Sequence, residues 1–225
     1  MLGLGPEEWQ AVALSLRVAI FATVVSLPAA IGIAYILARK EFWGKQVLNA
    51  AVHLPLVLPP VVTGYLLLLT FGNQGAIGSV LASWGMPLAF RWTGAVLAAA
   101  IMAFPLMVRA IRLAFEGGDI KLEDAATTLG ASPIRVFATI TLPLIWPGII
   151  AGTVLAFAKA LGEFGATITF VAAIPGETQT IPSAIYAFLQ VPGAEGSAVR
   201  LTLVAVILAV AAVLLSEWLT QRARR

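Results

Sequence analysis

The chain has no cysteine and very little charge. Of its 225 residues only 11% are Asp, Glu, Lys or Arg, and histidine occurs once, at His53. Without cysteine, disulfide bonds and thiolate metal sites are excluded, and the histidine and carboxylates lack the spacing of a metal site. A scattered net charge of +3 does not favour nucleic acid as a partner. We therefore predict neither a metal nor a cofactor.

Sequence patterns of common enzymes are also missing. The chain has no G-x-x-x-x-G-K-[ST] phosphate-binding loop, so it is not expected to hydrolyse ATP by that route. It offers no candidate pair of nucleophile and general base. The first ten residues contain two glutamates and no Lys or Arg, which is the reverse of a signal peptide's positive start. A non-enzymatic chain without a cleavable signal peptide is expected.

What the chain does contain is apolar sequence. Hydrophobic residues make up 60% of it and its mean hydropathy is +0.96, far above the level of water-soluble domains. A membrane-spanning helix needs about 20 mostly apolar residues. We predict an all-α, polytopic helical membrane protein with about five transmembrane helices. The five segments are Val12–Ala38, Val47–Phe71, Thr93–Val108, Leu144–Phe170 and Ala198–Trp218.

Proline interrupts four of these segments. Membrane helices tolerate proline because neighbouring helices and polar side chains satisfy the freed carbonyls, so we interpret Pro28 and Pro147 as kinks. The denser run HLPLVLPPVVTGY, which starts at His53, predicts a bent element that lines an interface or a path. Between the fourth and fifth segments, Ser183–Gln190 is too short to cross and is predicted to be an interfacial helix on the outer face.

The distribution of basic residues predicts the orientation. Ten of the 14 lysines and arginines follow the first, third or fifth segment, and by the positive-inside rule that side is cytoplasmic. The amino terminus is then outside and the carboxyl terminus inside, as five crossings require. The ten residues are Arg39, Lys40, Lys45, Arg109, Arg112, Lys121, Arg135, Arg222, Arg224 and Arg225.

A short polar helix, at about residues 119–130, is predicted in the loop after the third segment. Asp119 is a plausible N-cap, and Gly130 suits the left-handed residue that ends a helix. The small side chains between them permit close approach of another surface. On the residues alone, two interpretations stay open: a docking helix and an inert connector.

A motif in this loop resembles one in the permease subunits of ATP-binding-cassette (ABC) importers. The family motif reads Glu-Ala-Ala, three residues, Gly, nine residues, Ile-x-Leu-Pro. Here the glutamate position is Asp124, with Glu123 before it, and the other positions fit without a gap. The resemblance implies a coupling helix that docks in a groove of a separate ATPase subunit through Glu123, Asp124, Ala125, Ala126 and Gly130. The matching positions are Ala125, Ala126, Gly130, Ile140, Leu142 and Pro143.

Further stretches are similar to molybdate permeases of that family. They are HLPLVLPPVVTGYLLL, FPLMVRAIRLAFE, GTVLAFAKALGEFGATITF and IPGETQTIPSAIY. The resemblance implies one transmembrane domain over residues 1–225, in the inner membrane. It also implies a second permease copy in a homodimer, an extracytoplasmic oxyanion-binding protein and transport of a tetrahedral oxyanion. Sulfate, thiosulfate or tungstate is the alternative cargo, and a stand-alone ion-coupled carrier is the rival mechanism.

Candidate path residues cluster late in the fourth segment. Lys159 and Glu163 are four residues apart on one helical face, either as a structural ion pair or as part of an anion path. Glycines flank the next aromatic residue and could break the helix to form an outer gate, which the resemblance also suggests. Threonine hydroxyls are possible path linings. The further candidates are Gly162, Phe164, Gly165, Thr167, Thr169 and Thr63.

Overall fold

The computed structural model describes residues 3–223, and every regular element in that range is helical, which confirms the predicted fold class. The predicted charges at Arg224 and Arg225 lie outside the described residues. One π-helical segment, Phe137–Thr141, joins α7 to α8. The α-helices are α1 (Pro6–Arg39), α2 (Lys45–Val57), α3 (Pro60–Phe71), α4 (Gly78–Ser83), α5 (Trp92–Gly117), α6 (Ile120–Thr128), α7 (Pro133–Val136), α8 (Leu142–Leu161), α9 (Gly165–Val171), α10 (Ile181–Phe188) and α11 (Glu195–Ala223).

Four helical stretches are individually long and apolar enough to cross a membrane: Pro6–Arg39, Trp92–Gly117, Pro133–Leu161 and Glu195–Leu219. Helices α2 and α3 pass the same test together, but they meet at an angle of 112°. Five crossings follow if this bent pair forms one. The bend predicted from the prolines is confirmed, whereas a single continuous helix from Val47 to Phe71 is wrong. Leu58 is extended because the following Pro59 disfavours the helical region.

Helices α1, α5 and α8 form the centre of the molecule. Their contact faces are rich in alanine and glycine, which lets helix backbones approach closely within a membrane. At Gly152 of α8, an added Cβ would lie 3.1 Å from the carbonyl oxygen of Met107 on α5. Helix α1 continues through Pro28 and α8 through Pro147, so these two prolines do not break their helices.

Two predicted segment ends are corrected by the structure. Helix α5 extends past Val108 to Gly117, and Ile111 and Phe115 in this extension pack in the core. The fourth segment does not run as one helix to Phe170. Helix α8 ends at Leu161 and α9 begins at Gly165, so the break that the glycines around Phe164 suggested is present.

Helix α10, predicted as an interfacial helix, packs against the bundle on one face. It begins at Ile181 rather than Ser183, with Pro182 inside its first turn. Ile181 and Ala184 are buried against Ala11 and Val12 of α1 and Leu201 of α11. The backbone N–H of Ile181 also donates to Ser15 Oγ at 2.7 Å. The helix is therefore fixed to the bundle on one face.

An ion pair between a buried carboxylate and a partly exposed arginine joins the starts of α1 and α11. Arg200 donates to the carboxylate of Glu8 at 2.7 Å, and Glu8 is almost completely enclosed. Glu8 also accepts the backbone N–H of Gly5 at 2.5 Å, which caps the first turn of α1. These contacts hold the first turn of α1, at the end of the helix opposite to Arg39.

Candidate functional site

Local hydrogen bonds set the limits of α6 as the sequence predicts. Asp119 Oδ1 accepts the N–H of Lys121 at 3.0 Å and caps the first turn. At the other end Gly130 has φ +85, its N–H donates to Thr127 O, and the N–H of Ala131 donates to Ala126 O. These two bonds form a Schellman ending, which requires a left-handed residue at Gly130.

The surface around α6 exposes large apolar side chains. Leu129 and Ile134 are 89% and 82% exposed, and Leu122 is about half exposed. Asp124 and Ala125 share this exposed surface, and Ala126 is half-buried. Large apolar side chains exposed together on a polar loop are the kind of surface that another molecule can cover.

The two adjacent carboxylates of α6 have different environments. Glu123 Oε1 accepts from Arg39 Nη2 at 2.9 Å, and the two side chains are 18% and 13% exposed. Asp124 is exposed and makes none of the side-chain hydrogen bonds or ion pairs found in residues 3–223. The carboxylate at the motif's glutamate position is thus the one available to another molecule.

The rest of the motif leads from α6 into the membrane helix α8. Ser132 caps α7 by accepting the N–H of Arg135, and Pro133 occupies the first turn. Ile140 lies in the π-helical segment, whose wider turn makes room for the ring of Pro143 that follows. The motif residues therefore form one continuous connection between the exposed helix and α8.

The ion pair predicted on α8 forms at the break between α8 and α9. Lys159 Nζ lies 2.5 Å from Glu163 Oε2. The Glu163 side chain is 1% exposed and that of Lys159 is 29% exposed. The other oxygen of Glu163 accepts the N–H of Ala166 at 3.0 Å, which caps α9. The Glu163 carboxylate thus contacts both helices: it pairs with Lys159 in the last turn of α8 and accepts an N–H in the first turn of α9.

Helices α9 and α3 are in backbone contact at this break. A Cβ added at Gly165 would lie 2.6 Å from Cβ of Pro60, and one added at Gly64 would lie 2.5 Å from the carbonyl oxygen of Ala166. Both glycines are required by this close approach. The bent element α2–α3 is therefore held directly against the helix break.

The candidate hydroxyls differ in their partners. Thr167 and Thr169 donate to carbonyl oxygens of their own helix turn, from Phe164 and Gly165. Thr63 Oγ1 is enclosed and has no hydrogen-bond partner among the described residues. Of the three, Thr63 is the hydroxyl whose hydrogen-bonding capacity is unused.

An aromatic contact covers the same break. The rings of Phe164 and Tyr186 lie 5.4 Å apart at an interplanar angle of 45°, and Tyr186 is about half exposed. Through Tyr186, α10 contacts the α8–α9 break, and α10 itself packs against α1 and α11. The exposed Gly162 ends α8 at this point.

The predicted site residues thus form two clusters, one at each end of α8. Its 20 residues span about 30 Å. The coupling-motif residues lie before α8 and in its first turn, and Lys159, the break and α3 lie at its other end. Sequence reasoning missed Tyr186 and assigned Arg39 only to orientation. The helical spacing of the apolar residues in α10 could have drawn attention to Tyr186. The position of Arg39 at the end of a helix could have suggested an ion pair.

Comparisons with known proteins agree with the motif. The model of a family described as binding-protein-dependent transport system inner membrane component matches residues 26–225. The molybdenum transport system permease protein ModB of Escherichia coli (strain K12) is 62% identical over 98% of this chain and 97% of its own length. ModB of Haemophilus influenzae is 59% identical over 97% and 96%.

Solved structures show the same fold. A bacterial ABC transporter involved in the import of the acidic polysaccharide alginate has a TM-score of 0.76 at 18% identity. That likeness covers 98% of this chain and 81% of the other. At such low identity it concerns the arrangement of helices alone.

Proposed function

Because the chain belongs to the family of binding-protein-dependent transport system inner membrane components, we propose that it is the permease subunit of an ATP-driven importer for molybdate. The observation that carries this proposal is the identity to molybdenum permeases along nearly the whole of both chains. Residues 1–225 then form a single transmembrane domain. Sulfate, thiosulfate and tungstate are the alternative cargoes, since they are oxyanions of the same shape.

Helix α6 is the coupling helix of this proposal. Its exposed leucines, free Asp124 and small Ala125 and Ala126 form a surface that fits a groove in a separate ATPase subunit. Glu123 and Gly130 act indirectly, by holding the helix and shaping its end. ATP hydrolysis takes place on the partner, and this chain supplies transport without an enzymatic activity of its own.

The α8–α9 break is the proposed outer gate. Gly162, Phe164 and Gly165 form the break, with Lys159 and Glu163 as its structural ion pair and Thr167 bonded within α9. Thr63 on the adjoining α3 is the candidate path lining, since its hydroxyl is unsatisfied. A second permease copy, in a homodimer, completes the path, and an extracytoplasmic oxyanion-binding protein delivers the cargo.

The proposed orientation has the amino terminus outside and the carboxyl terminus in the cytoplasm. It is supported by the basic residues at the α6 end of the bundle, including Arg39, Arg112 and Lys121. Because the chain has no cysteine, single cysteines at Gly5 and Gln221 can be compared directly. We expect a membrane-impermeant thiol reagent to label position 5 in sealed cells and to leave position 221 unlabelled; the opposite pattern contradicts the orientation.

Reconstituted vesicles test the function itself. With the permease, its ATPase and a molybdate-loaded binding protein present, we expect molybdate to accumulate only when ATP is on the ATPase side. Omission of the binding protein should stop uptake, and sulfate and tungstate supplied through their binding proteins test the alternative cargoes. Accumulation driven by an ion gradient without the ATPase would establish the carrier instead.

A further inference from the structure

The last two turns of α1 contact the coupling segment at three points. Arg39 forms an ion pair with Glu123, which lies in α6. One turn earlier, the ring of Tyr35 packs edge-on against Phe115 at 5.6 Å and against Phe137 at 6.0 Å. Phe115 precedes α6 in the chain and Phe137 follows it, so the contacts bracket the helix. We name these five residues the α1 clasp.

The spacing in α1 makes this a single surface. Tyr35 and Arg39 are four residues apart and therefore lie on the same helical face. Phe115 is completely buried and Tyr35 is partly buried, so the ring contacts belong to the packed interior rather than to the water-exposed surface. The clasp thus continues the core of the bundle out to the exposed helix.

The ion pair also suits the ends of the two helices that it joins. Arg39 lies in the last turn of α1, where the helix dipole is negative, and Glu123 lies in the first turn of α6, where it is positive. Each charge is therefore favourable within its own helix before they meet. The enclosed guanidinium has no other ion-pair partner in residues 3–223.

Helix α6 has few other attachments. None of its described side chains belongs to the hydrophobic core, and the Arg39–Glu123 bond is its one side-chain hydrogen bond to another helix within the described part of the chain. Its remaining side-chain bonds stay within its own turns. A force on α6 thus reaches α8 through the backbone and α1 through the clasp.

We propose that the α1 clasp transmits the movement of the coupling helix to α1, as a second route beside the backbone connection to α8. This inference rests on the proposed function, because it requires that an ATPase moves α6. Tyr35, Arg39 and Glu123 are positioning residues in this scheme, and none of them is required to touch the cargo.

The test measures molybdate imported per ATP hydrolysed, in vesicles with the full complex. Coupling energies between sites are typically large enough to change an equilibrium fivefold or more, so we expect Glu123→Gln and Tyr35→Leu to lower this ratio by roughly fivefold. Tyr35→Phe keeps the ring and should keep the ratio. The exchange Arg39→Glu with Glu123→Arg should recover part of it.

Two controls separate the clasp from stability and from the proposed function. Glu41→Gln breaks an exposed cytoplasmic-side pair with Lys45 and should leave the ratio unchanged. Wild-type complex that fails to import with ATP would overturn the proposed function. Wild-type import together with an unchanged ratio in Glu123→Gln and Tyr35→Leu would overturn the clasp alone. If Glu123→Gln does not retain the ATPase, the Tyr35 variants decide by the same criterion.

Discussion

Gly130→Val is expected to abolish ATP-driven uptake while the permease remains folded in the membrane. Gly130 has φ +85, a conformation that a β-branched residue adopts only with strain of about 1–3 kcal/mol. No atom of the described residues lies within 4 Å of an added Cβ, so the effect comes from the backbone and not from a clash. The helix ending would rearrange, and Leu129 and the following α7 would change direction. Uptake in vesicles and co-purification of the ATPase measure the result.

Two variants isolate the cause of that loss. Gly130→Asn should keep most of the uptake, because asparagine tolerates the left-handed region. Gly193→Val places the same residue at the same φ of +85 in the loop before α11, where again no atom of residues 3–223 lies within 4 Å of an added Cβ. It carries the same backbone strain away from α6 and should transport. Normal uptake by Gly130→Val would remove the support for docking through this helix.

The elements that sequence reasoning predicted well are those defined by local interactions. The N-cap at Asp119, the left-handed Gly130 and the cap at Ser132 depend on residues within one turn of each other, and the structure has all three. The helical break between Leu161 and Gly165 is also local, since two glycines flank it. Apolar length alone was sufficient for α1 and α11.

What the sequence could not provide depends on residues distant in the chain. Arg39 and Glu123 are 84 positions apart, and no spacing rule relates them, so the pattern left open which of two adjacent carboxylates is free. The prolines after α2 predict a bend but not its angle of 112°, nor the close packing of α3 against α9. Tyr186 belongs to a helix whose contact with the α8–α9 break is likewise tertiary.

The same limit applies to Lys159 and Glu163, which the sequence left open as a structural pair or an anion path. The structure gives them unequal burial, with Glu163 enclosed and Lys159 partly exposed. It also gives Glu163 a second bond, to the N–H of Ala166. An enclosed carboxylate that also caps a helix fits a structural role better than a residue along which cargo slides.

Because the two side chains differ in burial, we expect the two single substitutions to lower the stability of the permease by different amounts. Lys159→Gln should destabilise the permease more than Glu163→Gln does, because it leaves an enclosed carboxylate without its cation. Removing one partner of a fully buried pair costs about 3–5 kcal/mol, and the partial exposure of Lys159 reduces that figure. Glutamine at 163 still offers an oxygen to Ala166, and the partly exposed Lys159 can turn outward. The midpoint of thermal unfolding of the purified permease measures both.

The double variant Lys159→Gln with Glu163→Gln should be more stable than Lys159→Gln alone, since no unpaired carboxylate remains buried. The exchange Lys159→Glu with Glu163→Lys should recover only part of the stability, because a lysine at 163 cannot accept the N–H of Ala166. A path role predicts a different pattern: Lys159→Gln would fold with wild-type stability and fail to transport. A Lys159→Gln protein that is stable but does not transport would therefore contradict the structural role and support a role of this pair in the anion path.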